Sequence, residues 1–299
     1  MGFFDDYFLG DDEKQALDYW RQQKASTQQA AYLYQQGVQY RDQNNLPAAI
    51  ELFIQAIHTN HSEATYWNDY AYTRCMQSYS NQISLADDVL DAANTAVMLR
   101  DDCVTRFTRG WVLLYLGRLP EALFEWSVSV RWNRNNEQLK SWIEHTLSRV
   151  FISYGFNPLD QVLAEGLELY LKSQNFSPVT GKEFEVGSVP QKVRKRISNS
   201  FFLIAILTQK QQQLDETFST SNWLIAEASA ARALNRQVIL MVEQGINRDS
   251  YSCVLGDEEY ITFNRNNYTS QCGKLIQALN KKRQQIFNDI LQGRYTLLS

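Results

Sequence analysis

The sequence lacks any apolar run approaching the roughly 18 to 20 residues that a membrane span requires, so no membrane partner is expected. Its cysteines, Cys75, Cys103, Cys253 and Cys272, are widely separated, with no C-x-x-C and no nearby histidine. Neither a zinc site nor a disulfide framework is indicated; no metal is expected, and a reducing cytoplasm is the expected location. The N-terminal stretch MGFFDDYFLGDDEK is acidic, without the basic, apolar and small-residue regions of a secretory signal. It also carries Asp6 where a myristoylation signal wants Ser or Thr. All three histidines, His58, His61 and His145, precede residue 149, so Ser153 finds no histidine in the C-terminal half and a Ser-His-Asp hydrolase is not expected. Neither G-x-G-x-x-G nor G-x-x-x-x-G-K-[ST] occurs, which removes Rossmann hydride transfer and P-loop phosphoryl transfer.

What is present is globular. Of 299 residues, 44% are hydrophobic and 21% charged, and the length suits two domains, or a solenoid plus a domain. The net charge of −4 is unevenly shared. Residues 1–148 hold 12 basic and 19 acidic side chains, net −7; residues 149–299 hold 17 and 14, net +3. The second half suits an anionic small molecule but is far from the basic stripe of a nucleic-acid binder, so no nucleic acid is expected.

The first half is helical and repetitive. In AAYLYQQGVQYRDQNNLPAAIELFIQAIHTNH, Gly37 is followed at fixed offsets by Ala49, Phe53 and Ala56; in FTRGWVLLYLGRLPEALFEWSVSVRWN, Gly110, Ala122, Trp126 and Ser129 repeat that frame. Both turns read L-P-[AE]-A-[IL]. The pattern resembles the tetratricopeptide repeat (TPR), where small residues let paired helices approach and large ones fill the groove between them. Residues 64–98 fit a degenerate third copy, built on Trp67, Ala71, Ala86, Leu90 and Ala93, with about three extra residues in the QSYSNQ turn. Residues 1–27, with Ala16, Leu17 and Trp20 at helical spacing, are expected to cap a solenoid over 28–148, and LKSWIEHTL to close it.

From Arg149 the period changes. RVFISYG, FSPVTG, FFLIAILTQ, QVILMVEQG and a weaker EYITFN read as strands; PLDQVLAEGLELYLKS, VPQKVRKRISNS, SNWLIAEASAARAL and a long closing segment read as helices. The alternation argues for a parallel sheet covered on both faces, Rossmann-like or flavodoxin-like.

VFISYG, FEVGS, FFLIAILT and W-L-I-A-E occur in the order and approximate spacing of a Toll/interleukin receptor (TIR) domain, which residues 149–299 are taken to resemble. The resemblance implies a flavodoxin-like fold with a five-stranded parallel sheet, TIR–TIR self-association and, in the enzymatic branch found in many bacterial members, cleavage of NAD+ at the nicotinamide glycosidic bond. NAD+ is then a substrate and no cofactor is needed. The essential glutamate of that branch, four residues after an aromatic, matches Glu227 after Trp223. The resemblance further assigns Tyr154, Gly155, Phe156, Glu185 and Thr208 to substrate binding or gating, although Gly155 and Phe156 stand where several active relatives carry polar or basic residues. It implies a defence role, with the repeats offering a surface to a peptide or protein; the alternatives are a non-catalytic scaffold and a nucleotide sensor.

A lone carboxylate suits this chemistry. Departing nicotinamide sheds its positive charge without needing a proton, and the oxocarbenium-like ribose left behind is stabilised by one anion. Read singly, Glu227 is first a salt-bridged or solvated helix acid, Trp223 a packing residue and Glu185 a loop acid; the flanking motifs are what turn the reading toward catalysis. Lys192, Arg194, Lys195 and Arg196 read as a solvated helix face, with attraction for phosphate as the sharper alternative. The polar stretch over 209–221 reads as a solvated insertion, a lid or a partner surface.

Overall fold

The computed structural model describes residues 11–81, 85–181, 189–255 and 260–297. The chain divides into two compact units, Met1–Leu116 and Gly117–Ser299.

The first unit is helical: α1 (Asp11–Asp42), α2 (Leu46–Thr59), α3 (Ala64–Asn81), α4 (Asp88–Leu99) and α5 (Cys103–Tyr115). The expected boundary at residue 27 falls inside α1, which runs unbroken through both the capping segment and the first helix of the first repeat. Trp20, offered above as a capping contact, is exposed. Short connections force each helix back on its predecessor: α1 packs on α2, α2 on α3, and α3 on both α4 and α5. Asn44 ends α1 in the left-handed conformation (φ 61°), and Asn45 caps α2 ahead of a first-turn proline. Asp102 and Thr105 form a capping box at α5. The extra residues of the QSYSNQ stretch lengthen α3, which stays helical to Asn81.

The repeat frame has a physical cause. Ala49, Phe53 and Ala56 are completely buried, and the Phe53 ring lies so close to Gly37 that a Cβ there would come within 2.7 Å of it.

The second unit begins with α6 (Leu119–Val130) and α7 (Glu137–Leu147), which the sequence pattern had grouped with the repeats, and continues β1 (Arg149–Tyr154), α8 (Pro158–Ser173), β2 (Ser177–Thr180), α9 (Val189–Ser198), β3 (Phe202–Leu207), α10 (Asn222–Ala233), β4 (Gln237–Glu243), α11 (Ser252–Leu255), β5 (Ile261–Phe263) and α12 (Tyr268–Leu291). The five strands form one parallel sheet in the order β2-β1-β3-β4-β5, the doubly wound order whose ligand crevice lies at the β1/β3 switch point. Side chains alternate between faces. Phe151, Leu203, Ala205, Leu240 and Val242 share a core with Val193 and Ile197 of α9 and with Leu224, Ala228 and Ala231 of α10. The alternate residues, Val150, Ile152, Phe202, Ile204 and Met241, are buried on the other face, where α8 packs on β1 and β2 and α12 packs on α6, α7, α8 and β5.

The stretch over 209–221 is an ordered hairpin. Lys210 N–H donates to Ser219 O (2.9 Å) and Gln213 N–H to Thr217 O (2.8 Å), with Glu216 left-handed at the tip. Phe218 anchors the hairpin beside β4 by donating to Gly245 O (2.8 Å) and accepting from Asn247 N–H (2.9 Å).

Among the described residues no helix is long and apolar enough to cross a membrane.

Gly37→Ala gains about 1 kcal/mol of helix propensity but overpacks a completely buried ring, at a cost of about 1–3 kcal/mol. Because the ring has no space to yield, urea or thermal melts are expected to show net destabilisation of the helical unit, and Phe53→Leu in the Gly37→Ala background to recover part of it.

Candidate functional site

Helix α10 divides its surface. Leu224, Ala228 and Ala231 face the sheet, while Trp223, Glu227 and Ala230, at i, i+4 and i+7, line a pocket of about 370 Å³ whose other wall is Arg194 and Ile197 of α9. Glu227 is buried, 6% exposed. Its carboxylate is met from the sheet by Ser153, whose Oγ donates to Glu227 Oε2. Ser153 shares a sheet face with Phe151 and is paired in register with Ala205, whose small side chain leaves room for the carboxylate.

Burial pushes the Glu227 carboxyl above its ordinary range, while the Ser153 hydrogen bond and the nearby Trp223 indole partly restore the charged form. The indole Nε1 itself is buried outside full hydrogen-bond geometry with any group. The site sets a carboxyl group against an aromatic wall, with the guanidinium-bearing Arg194 on the opposite side of the pocket.

The remaining sequence-predicted residues are distributed differently. Tyr154 and Thr208 lie on the other face of the sheet. Tyr154 is buried toward α8, where burial first, and the charges of Glu165 and Glu168 in addition, raise its hydroxyl's pKa. Thr208 Oγ1 donates to Asp160 Oδ2 at 2.7 Å. Gly155 is required where it stands, because a Cβ there would overlap Asp160 Oδ2. Phe156 is exposed (62%), with its ring 6.0 Å from that of Tyr154 and close to Gly181 at the end of β2. Glu185 and Lys192's side chain lie outside the described residues.

Two partnerships escaped sequence reading. Ser153 is the one polar residue inside the apolar run VFISY, and strand alternation puts it on the helix-facing side; its partner lies 74 residues further on. Asp160 is the second. It sits in the first turn of α8, where Asn157 caps the helix and Pro158 opens it, and it is 1% exposed. Its Oδ2 accepts from Asn157 and Thr208, and its Oδ1 is 3.6 Å from Arg265 Nη2. Arg265 Nε also pairs with Glu243 Oε1 at 2.9 Å, and Glu243 Oε2 accepts the backbone N–H of Gln209 at 3.0 Å. This network ties together the loops that leave β1, β3, β4 and β5.

Among the described residues no group of three or more His, Cys, Asp or Glu side chains is arranged to hold a metal ion. No family model matches this chain, and no curated protein matches it.

An acid whose pKa is raised on folding contributes most to stability below its unfolded-state pKa, and that contribution is lost as pH rises through the folded-state value. Glu227→Gln, which still accepts from Ser153, is expected to raise the melting temperature at pH 7 and to lose this advantage as pH falls below the carboxyl's range. A lower melting temperature at pH 7 would show that burial does not dominate the energetics of Glu227.

Proposed function

We propose that the chain is a TPR–TIR protein whose second unit cleaves NAD+ at the nicotinamide–ribose bond, with Glu227 as the anion that stabilises the oxocarbenium-like ribose. The observation that carries this reading is the placement of Glu227: a carboxylate raised by burial, beside Trp223 in one pocket, supported from β1 by Ser153. A fixed anion that is itself buried is effective because its field is less screened than a surface charge's and it need not reorganise as the positive charge develops. Ser153 occupies one carboxylate oxygen and leaves the other for the sugar. Nicotinamide departs neutral, so the single acid suffices, and attack by water or by a second nucleophile on the ribose gives the linear or the cyclic product. Trp223 supplies an aromatic wall, and Arg194 is placed to attract the pyrophosphate.

The first unit fits a regulatory role. The helices that would form the concave face of a TPR stack, α1, α3 and α5, line a pocket of about 540 Å³ whose groups include Arg41, Asn68, Asp69 and Phe107. Arg41 and Asp69 pair at 2.8 Å, and Asn68 Oδ1 is buried without a hydrogen-bond partner. Mixed aromatic and amide lining of this kind suits an extended peptide of a partner protein. Such control, together with self-association of TIR units, would keep the enzyme off at rest in the cytoplasm and switch it on in antiphage defence.

Purified protein incubated with NAD+ at high concentration or with a crowding agent is expected to release nicotinamide, and Glu227→Ala to release it at least about a hundredfold more slowly. Because the ionised carboxylate is required, the acid limb of the pH–rate profile is expected above the ordinary glutamate value of about 4.3. NAD+ binding without turnover, or equal turnover by Glu227→Ala, would exclude this mechanism.

A further inference from the structure

Helix α8 carries apolar side chains on two opposite faces. Ala164, Leu167 and Leu171 are buried on one, where the helix packs on β1, β2 and α12. On the other, Leu159, Val162 and Leu169 are 65%, 66% and 70% exposed, and Tyr170 is 40% exposed. Offsets of three and four residues join them into one stripe with Gly166 in its middle. A surface helix ordinarily turns polar residues outward. Here the polar groups keep to one flank and are tied along the helix, Lys172 Nζ to Glu168 Oε1 at 2.6 Å and Gln161 Nε2 to Glu165 Oε1 at 2.7 Å. Scattered apolar residues on a surface need no explanation, whereas a contiguous patch marks a contact surface. We propose that this stripe binds a second copy of the chain, the two α8 helices crossing antiparallel at Gly166.

Two observations point to a copy. A Cβ added at Gly166 would meet nothing within 4 Å, so packing within the chain does not require glycine there, and alanine would make the better helix. A bare backbone at the centre of an exposed apolar stripe instead lets another helix come close. The pattern also reads alike in both directions from Gly166. A two-fold contact sets each residue before the crossing point against the one equally far after it. Val162 then meets Tyr170 and Leu163 meets Leu169, with Leu159 against Ser173 at the end. Apolar groups therefore face apolar groups over the central turns.

The area sets the strength. The four outward side chains expose about 300 Å² of apolar surface per copy, under half of the roughly 800 Å² that each partner buries in a standard interface. The contact is therefore transient and forms at high protein concentration. It gives a surface to the self-association invoked above, and rests on that reading only for its effect on activity.

The test is sedimentation equilibrium of the full chain from about 1 to about 500 µM, with circular dichroism melts to establish that each variant folds. The wild type is expected to dimerise reversibly, and Leu169→Glu, at an exposed position, to weaken the dimer at least about tenfold. Gly166→Leu separates helix crossing from general stickiness: it enlarges the apolar stripe, yet is expected to weaken the dimer by a similar factor because the backbones can no longer meet. A wild type that stays monomeric throughout, a dimer equally strong in Leu169→Glu, or tighter association of Gly166→Leu overturns the proposal. A monomeric wild type whose melting temperature falls in Leu169→Glu would place another part of the same chain on the stripe, and overturns it too. Sedimentation does not read turnover, so loss of the dimer leaves NAD+ cleavage standing, and failure to release nicotinamide leaves the dimer standing.

Discussion

A carboxylate set into an apolar seam between a helix and a sheet must be given partners, because leaving it without them costs several kcal/mol. Much of the second unit's design around α10 follows from meeting that requirement. Ser153 interrupts an apolar strand to present a hydroxyl to Glu227. Ala205 is small beside it in the register, and Ala228 and Ala231 let α10 come close enough to the sheet for the bond to form. The same helix then turns Trp223 and Glu227 toward α9. The packing side of α10 is ordinary; its other side is where the chemistry is proposed.

The strand order places a second polar system at the same end of the sheet but on the opposite face. Asp160 joins the loop after β1 to the residue after β3, and Arg265 carries the linkage to Glu243 at the end of β4. Pleating accounts for the separation: Ser153 and Tyr154 are neighbours in sequence, so their side chains leave by opposite faces. One loop can therefore be fixed from below by Asp160 while the pocket beside α10 stays open.

The strands and helices of the second unit were legible because the period of apolar residues switches cleanly, and because caps such as Asn157-Pro158 mark helix starts within a residue or two. The helices of the first unit were legible for a related reason, the spacing of Gly37, Ala49, Phe53 and Ala56 being dictated by one ring pressing on one glycine. Unit membership was less legible. Helices α6 and α7 continue the repeat pattern in sequence yet belong with the sheet, because a repeat's own residues do not say which neighbour its outer face will meet. At the site, i and i+4 spacing put Trp223 and Glu227 on one pocket wall. The partnerships with Ser153 and among Asp160, Thr208 and Arg265 depend on which strands lie side by side, and that information is absent from any local window.

The hydrogen bond between Ser153 and Glu227 spans two β–α crossovers. During synthesis the chain emerges from its N-terminus, so β1 is available early, but the seat for the carboxylate exists only once β3 has paired beside β1 and α10 has closed over both. Non-local parallel pairing of this kind is slow, because the intervening chain must be ordered before the contact is gained. A nascent or truncated chain ending before α10 therefore carries Ser153 and Ala205 but lacks both the acid and the helix that seats it between them.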